Sequence, residues 1–157
     1  MEPHYYKVDV TWSKDRKGVM CSPELNGASN TGGCIEVATP PEFPKGIPGI
    51  WSPEHLYTAS VSSCLMTTFL AIAENSKLDF VSFRCGSEGK LEQVDGKFIM
   101  SEVLLKPEVV IKDEKDYDRA IRVIQKSEAN CLITNSIKAK IRMEAVVRVV
   151  EIEGRTL

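Results

Sequence analysis

The sequence predicts an α+β fold: an antiparallel sheet with a central buried helix carrying Cys64 and a second helix before Cys131. Three observations predict it. Strand-like stretches come in pairs joined by turn signals, which implies hairpins rather than βαβ units. The stretch from Ser52 to Glu74 begins with a helix start and has no Lys, Arg, Asp or Glu between Glu54 and Glu74. A later stretch, 113–130, has helical periodicity. With no repeat and no linker in sight, residues 1–157 read as one domain, long enough to bury a core.

The elements follow in order. His4 to Trp12 alternates Tyr, Val and Trp with Lys and Asp, the period of a strand. Ser13 to Gly18 is a polar turn, and Val19 to Ser22 returns as a second strand. Asn26-Gly27 to Gly33 is another polar turn, and Cys34 to Thr39 a short strand. Pro40 to Gly49 holds four prolines and two glycines and reads as a loop. It delivers the chain to Ser52, a good N-cap, followed by Pro53 at the first helical position and Glu54 where the helix dipole favours an acid.

The helix so begun runs to about Ser76. Apolar or small on nearly every face, it is expected to be buried. Its Ser and Thr content and polar flanks argue against a membrane span. Leu78 to Glu92 and Phe98 to Ile111 form strands around Val94-Asp95-Gly96-Lys97, a two-residue hairpin signal, with Pro107 placed near an edge. In 113–130, Asp113 is the cap, Tyr117, Ala120, Ile121 and Ile124 the apolar stripe, and Asn130 the close. Ile137 to Ile152 alternates as a final strand.

Composition narrows the function classes. The chain is 43% hydrophobic and 27% charged, ordinary for a soluble globular protein, and its formal net charge of −2 offers nothing to nucleic acid or an anionic membrane. The N-terminal segment lacks the apolar core of a signal peptide, so the cytosol is the expected compartment. Five cysteines, at 21, 34, 64, 85 and 131, are irregularly spaced. They suggest neither a disulfide framework nor a metal site. Cys21, Cys34 and Cys85 fall in predicted strands, where packing accounts for them.

Cys64 and Cys131 stand in more distinctive surroundings. Cys64 lies mid-helix among small hydroxyl residues. Cys131 follows the second helix in Asn130-Cys131-Leu132-Ile133-Thr134-Asn135-Ser136. A buried cysteine is commonly a small hydrophobe, so spacing alone leaves both packing and chemistry open.

The run Ser52-Pro53-Glu54-His55-Leu56, then Ser63-Cys64, then Asn130-Cys131 and Asn135-Ser136, resembles the OsmC/Ohr family of thiol-dependent hydroperoxide reductases. The resemblance covers essentially the whole chain. It implies that Cys64 is the peroxidatic thiol and Cys131 the resolving thiol. It also implies an ion pair beside the thiol, which maps to Arg16 and Glu54. It implies organic hydroperoxides as substrates, a dithiol or lipoyl-type reductant, no metal or other cofactor, and an intertwined homodimer with sites at the subunit interface. The chain departs from the family's commoner pattern at Leu132, where proline is frequent, and in the length of the Pro40–Pro48 loop.

The chemistry of these residue types agrees with those roles. Only a thiolate attacks a peroxide. Cys64 sits too far into its helix for the N-terminal dipole to help, and burial would raise its pKa. A cation is therefore expected beside it; Arg stays charged when desolvated, and a buried Arg needs a carboxylate such as Glu54. Glu54 and Cys64 are ten residues apart, about 15 Å on an ideal helix. Either the helix begins later or groups meet across a dimer. His55 reads as structural, and Trp51 as a staple residue. Tyr57, Phe69, Phe80, Phe83 and Phe98 read as core or pocket walls, which favours an apolar hydroperoxide. The competing functions are a non-catalytic ligand-binding protein of the same fold and a cysteine-based redox sensor or thiol-disulfide oxidoreductase.

Overall fold

The structure is a computed structural model describing residues 1–25 and 32–150. The chain divides into two compact units, Met1–Leu56 and Tyr57–Leu157.

The N-terminal unit holds a three-stranded antiparallel sheet in the order β1 (Asp9–Lys14), β2 (Lys17–Cys21), β3 (Cys34–Ala38). The expected strand at 4–12 therefore starts later and runs further. The turn is only Asp15-Arg16, closed by the Lys14↔Lys17 pair. Asp15 takes a left-handed φ of 48°, which Asp tolerates at such turns. The Trp12 indole donates to the Asp15 carbonyl at 3.1 Å and pins the turn. The polar turn expected at Asn26–Gly33 lies mostly outside the described residues.

After β3 the proline-rich loop is folded back on itself. Phe43 N–H donates to the Pro40 carbonyl, Gly46 N–H to Phe43, and Ile47 N–H to Thr39, each within 3.1 Å. A Cβ at Gly46 would collide with the backbone of Pro40, so only glycine lets the loop close there. Ala38 N–H then reaches the Trp51 carbonyl at 2.9 Å, and the chain enters the helix at Ser52.

Helix α1 spans Pro53–Asn75 without a break. Ser52 caps it as expected: its Oγ accepts from His55 N–H at 3.3 Å, and His55 Nδ1 lies 2.7 Å from the same oxygen. Ser52 N–H also points at Nδ1, at 3.4 Å. His55 thus occupies the capping-box position that Glu or Gln usually fills. Trp51 packs its ring edge-on against His55, with centroids 6.2 Å apart.

The C-terminal unit is built on a four-stranded sheet. β4 (Phe80–Val94) and β5 (Lys97–Ile111) form a long hairpin through Asp95-Gly96, both with positive φ, as the sequence signal requires. α2 (Tyr117–Ala129) follows a 3₁₀ turn capped by Asp113, whose carboxylate accepts Lys115 N–H at 3.0 Å. The buried stripe of α2 is Ala120, Val123, Ile124 and Ser127; Tyr117 is exposed.

Two expectations about the sheet are corrected. Pro107 is fully buried in the central strand β5, not at an edge. The final strand is two strands, β6 (Lys140–Met143) and β7 (Val146–Val149), both pairing parallel to β5. The parallel direction follows from α2, which carries the chain back across the sheet as a crossover. The split falls opposite Pro107, which has no N–H to give the ladder. Positions 151 and 152 of the expected strand lie outside the described residues.

Burial of α1 is also corrected. One stripe is buried, Val61, Leu65, Phe69 and Ala73, at the i, i+4 spacing of a single face. Val61 and Leu65 pack with Val103, Leu105 and Ala139; Phe69 and Ala73 pack with Val109, Ile111, Ala120 and Ile124. Met66 and Leu70 remain exposed. Helix α1 is long and apolar enough to cross a membrane by length and composition, yet this stripe belongs to a protein core. Its hydroxyls are met inside the helix: Ser60 donates to the Tyr57 carbonyl at 2.7 Å and Thr67 to Cys64 at 3.1 Å. Phe80 and Phe83 stack on Phe69 in the core as expected, whereas Phe98 is exposed.

Candidate active site

Cys64 and Cys131 meet in the C-terminal unit. Cys64 projects from the middle of α1 and is half-buried; Cys131, at the end of α2, is buried. Each thiol is near enough to shift the pKa of the other, and both are free.

The segment after α2 is folded for this contact. Asn130 closes the helix through its side chain, Nδ2 donating to the Lys126 carbonyl at 2.7 Å. Asn135 Nδ2 reaches back to the Ala129 carbonyl at 3.3 Å. Ser136 Oγ donates to the Leu132 carbonyl at 2.8 Å, and Asn135 N–H to the Cys131 carbonyl at 3.1 Å. Asn135 and Ser136 thus tie residues 131–136 into a compact turn. That turn brings the backbone of Leu132 and Ile133 beside the Cys64 thiol, whose pKa it helps to lower. Thr68, one turn along α1, completes the shell, with its hydroxyl 4.0 Å from the sulfur.

The electrostatic result is a polarised pair. Burial pushes the Cys64 thiol up. It is outweighed by hydrogen bonds from the Cys131 thiol, the Ile133 amide, the Thr68 hydroxyl and the Leu132 amide, so its pKa is net lowered. Burial pushes Cys131 up, and the neighbouring Cys64 pushes it further. The two thiols are thus shifted in opposite directions. The groups that lower Cys64 here are hydrogen-bonding groups of its own unit. Spacing could have found Thr68, at i+4 from Cys64. The two amides carry no side-chain signal.

Arg16 and Glu54 belong to the N-terminal unit and line one recess of about 350 Å³ with Val37, Ala38, Thr39, Pro40, Phe43 and Pro53. Arg16 is placed there by its tight turn and by Thr39 N–H, which donates to its carbonyl at 3.0 Å. Glu54 is placed by the first turn of α1. Continuity of α1 from Pro53 removes the possibility that the helix begins after Glu54.

One pair was not anticipated. Cys21 and Cys34, expected as packing residues, are joined by a disulfide between directly opposed positions of β2 and β3. Their strands were legible in the sequence, but their register was not.

A family model described as OsmC-like protein matches residues 46–146. The chain belongs to the OsmC-like family. Among solved structures, an OsmC-like protein of unknown function from Vibrio cholerae aligns with TM-score 0.79 and 22% identity, covering 92% of this chain and all of that one. An organic hydroperoxide resistance protein OsmC from Legionella pneumophila aligns with TM-score 0.71 and 18% identity, over 95% and 100%. An uncharacterized protein of Bacillus subtilis, YmaD, is 22% identical over 147 residues, 92% of this chain and 93% of its own length. The OsmC-like fold, α+β with two helices, is thus common to this chain and the structures it resembles.

Proposed function

We propose that this OsmC-like protein is a thiol-dependent peroxidase that reduces organic hydroperoxides to alcohols. The observation that carries this is the Cys64–Cys131 pair: two free thiols on neighbouring elements, one lowered and the other raised. Several OsmC-like structures similar to this chain are described as organic hydroperoxide resistance proteins, which agrees with this reaction class.

The Cys64 thiolate attacks the outer peroxide oxygen. The O–O bond breaks, the alkoxide leaves with a proton as alcohol, and Cys64 becomes a sulfenic acid. Cys131 sulfur then attacks the Cys64 sulfur, water leaves, and a Cys64–Cys131 disulfide forms. A dithiol, of lipoyl type or otherwise, restores both thiols by exchange and is itself oxidised to a disulfide. The hydrogen bonds that lower Cys64 also stabilise charge on the sulfur before attack. The family resemblance supports Arg16 and Glu54 as the activating ion pair, the guanidinium to meet the developing alkoxide and the carboxylate to hold the guanidinium. The mostly apolar lining around Arg16, including Phe43, suits an alkyl or aryl hydroperoxide. No metal or other cofactor takes part.

The working unit is a homodimer in the cytosol. Two features support the dimer. Met66 and Leu70 of α1 and Val10 and Trp12 of β1 are exposed apolar side chains. Glu54 and Cys64 also lie about 15 Å apart along one unbroken helix.

The test is consumption of cumene hydroperoxide with a dithiol reductant, in wild type, Cys64→Ser and Cys131→Ser. Turnover is expected in wild type and none in Cys64→Ser. In Cys131→Ser, a sulfenic or over-oxidised Cys64 should accumulate. Full activity in Cys64→Ser would end the reading. A single stoichiometric oxidation without turnover would mark a sensor, and no reaction at all a ligand-binding protein.

A further inference from the structure

The Cys21–Cys34 bond has no part in the reaction above, and its placement raises its own question. The two cysteines face each other across the β2–β3 ladder. The next pair outward, Ser22 and Gly33, is hydrogen-bonded, Ser22 N–H donating to the Gly33 carbonyl at 3.0 Å. In an antiparallel ladder the bonded and unbonded pairs alternate, so Cys21 and Cys34 occupy an unbonded, closely spaced pair, with Cα atoms 4.1 Å apart. Both residues are partly exposed, so a small thiolate has access to the bond.

From this bond the ladder runs through Met20↔Ile35, Val19↔Glu36 and Gly18↔Val37 to Lys17↔Ala38. The next backbone contact is Thr39 N–H to the Arg16 carbonyl. Val37, Ala38 and Thr39 form one wall of the recess that Arg16 lines. The register of two five-residue strands therefore sets where Arg16 stands against that wall, and the disulfide fixes that register at the far end.

We propose that Cys21–Cys34 is a second redox site, reducible by a small dithiol, whose oxidised form staples the β2–β3 register and holds Arg16 in its recess. The exchange is a two-electron step. A dithiol thiolate attacks one sulfur, the Cys21–Cys34 bond breaks, and the released cysteine takes up a proton. The second dithiol sulfur attacks the mixed disulfide and frees the other cysteine. The dithiol leaves as a cyclic disulfide, and two thiols stand where one bond stood. The bond forms again by the reverse exchange with an oxidised dithiol. The link to Arg16 rests on the peroxidase reading, but the redox site does not.

Two measurements test it. The first counts maleimide-reactive thiols in a Cys64→Ser/Cys85→Ser/Cys131→Ser variant, before and after dithiothreitol without denaturant. None before and two after is expected. Two thiols already free in air-exposed protein, or a bond that yields only under denaturant, would overturn the proposal. The second is amide hydrogen exchange on wild type in both states. Reduction should speed exchange at Val37 to Thr39, on the order of tenfold or more, while β4 and β5 stay unchanged. Equal exchange in the two states would remove the stapling role. Because neither readout uses a peroxide, failure of the peroxidase reading would leave both results interpretable. If that reading holds, single-turnover oxidation of Cys64 should slow on the order of ten- to a hundredfold in Cys21→Ser/Cys34→Ser, the scale of a misplaced orienting group.

Discussion

Cys64 of α1 and Cys131 at the end of α2 are neighbours, and each shifts the other in the opposite direction: Cys64 down, Cys131 up. A buried thiol alone would be inert. Here the Thr68 hydroxyl, 4.0 Å from the Cys64 sulfur, adds to the downward shift that Cys131 leads.

The pH profile of Cys64 alkylation checks this. Wild-type Cys64 should react with iodoacetamide along a titration displaced to lower pH than an unperturbed thiol. Cys131→Ala removes the leading lowering contact and should move the profile back up. An unchanged profile would separate the two sulfurs electrostatically. The linkage signs are opposite. Cys64, lowered on folding, adds stability above its unfolded pKa, and this is lost as pH falls through its folded pKa. Cys131, raised on folding, adds stability below its unfolded pKa, and this is lost as pH rises through its folded pKa.

The turn after α2 should matter more for chemistry than for stability. Ser136→Ala deletes one hydrogen bond to the Leu132 carbonyl and should cost about 1 kcal/mol in a urea melt. The Leu132 and Ile133 amides would lose their fixed place beside Cys64, so Cys64 alkylation at neutral pH should slow. A stability loss with unchanged alkylation would show that the amides hold their place without Ser136.

The α1 stripe carries much of the C-terminal core. Leu65→Ala and Phe69→Ala should each destabilise by roughly 2–5 kcal/mol, read from the denaturation midpoint at constant m-value. Met66→Ala, on the exposed side, should lie within about 0.5 kcal/mol of wild type if the chain is monomeric. A larger loss that grows on dilution would reveal a partner on that face.

Ser52 and His55 form a reciprocal cap, so their losses should not add. Ser52→Ala should cost about 1 kcal/mol, and His55→Ala less. The double variant should fall short of the sum, which a double-mutant cycle in thermal or urea melts would measure.

Much of this arrangement was legible in the residues. The Ser52 cap, the Asp95-Gly96 hairpin and the Asn130 close are short-range devices whose geometry is set by neighbours in sequence, and each stands where its signal puts it. Cys64 and Cys131 were marked by their surroundings and by the resemblance of those motifs to a known family. Pro107 misled, because a proline disfavours the middle of a sheet unless the neighbouring strand breaks opposite it, as β6 and β7 do. The Cys21–Cys34 bond was invisible, since pairing depends on strand register rather than spacing.

The sequence by itself determined the elements and the two helices and marked Cys64 and Cys131 as the cysteines in distinctive surroundings, because propensity, capping and turn chemistry are local. Only the tertiary structure decided what those thiols are. Two sulfurs 67 residues apart in the chain acquire oppositely shifted pKa values when α1, α2 and one six-residue turn make them neighbours. Hydrogen bonding and desolvation act over a few ångströms of space, and sequence distance does not measure that.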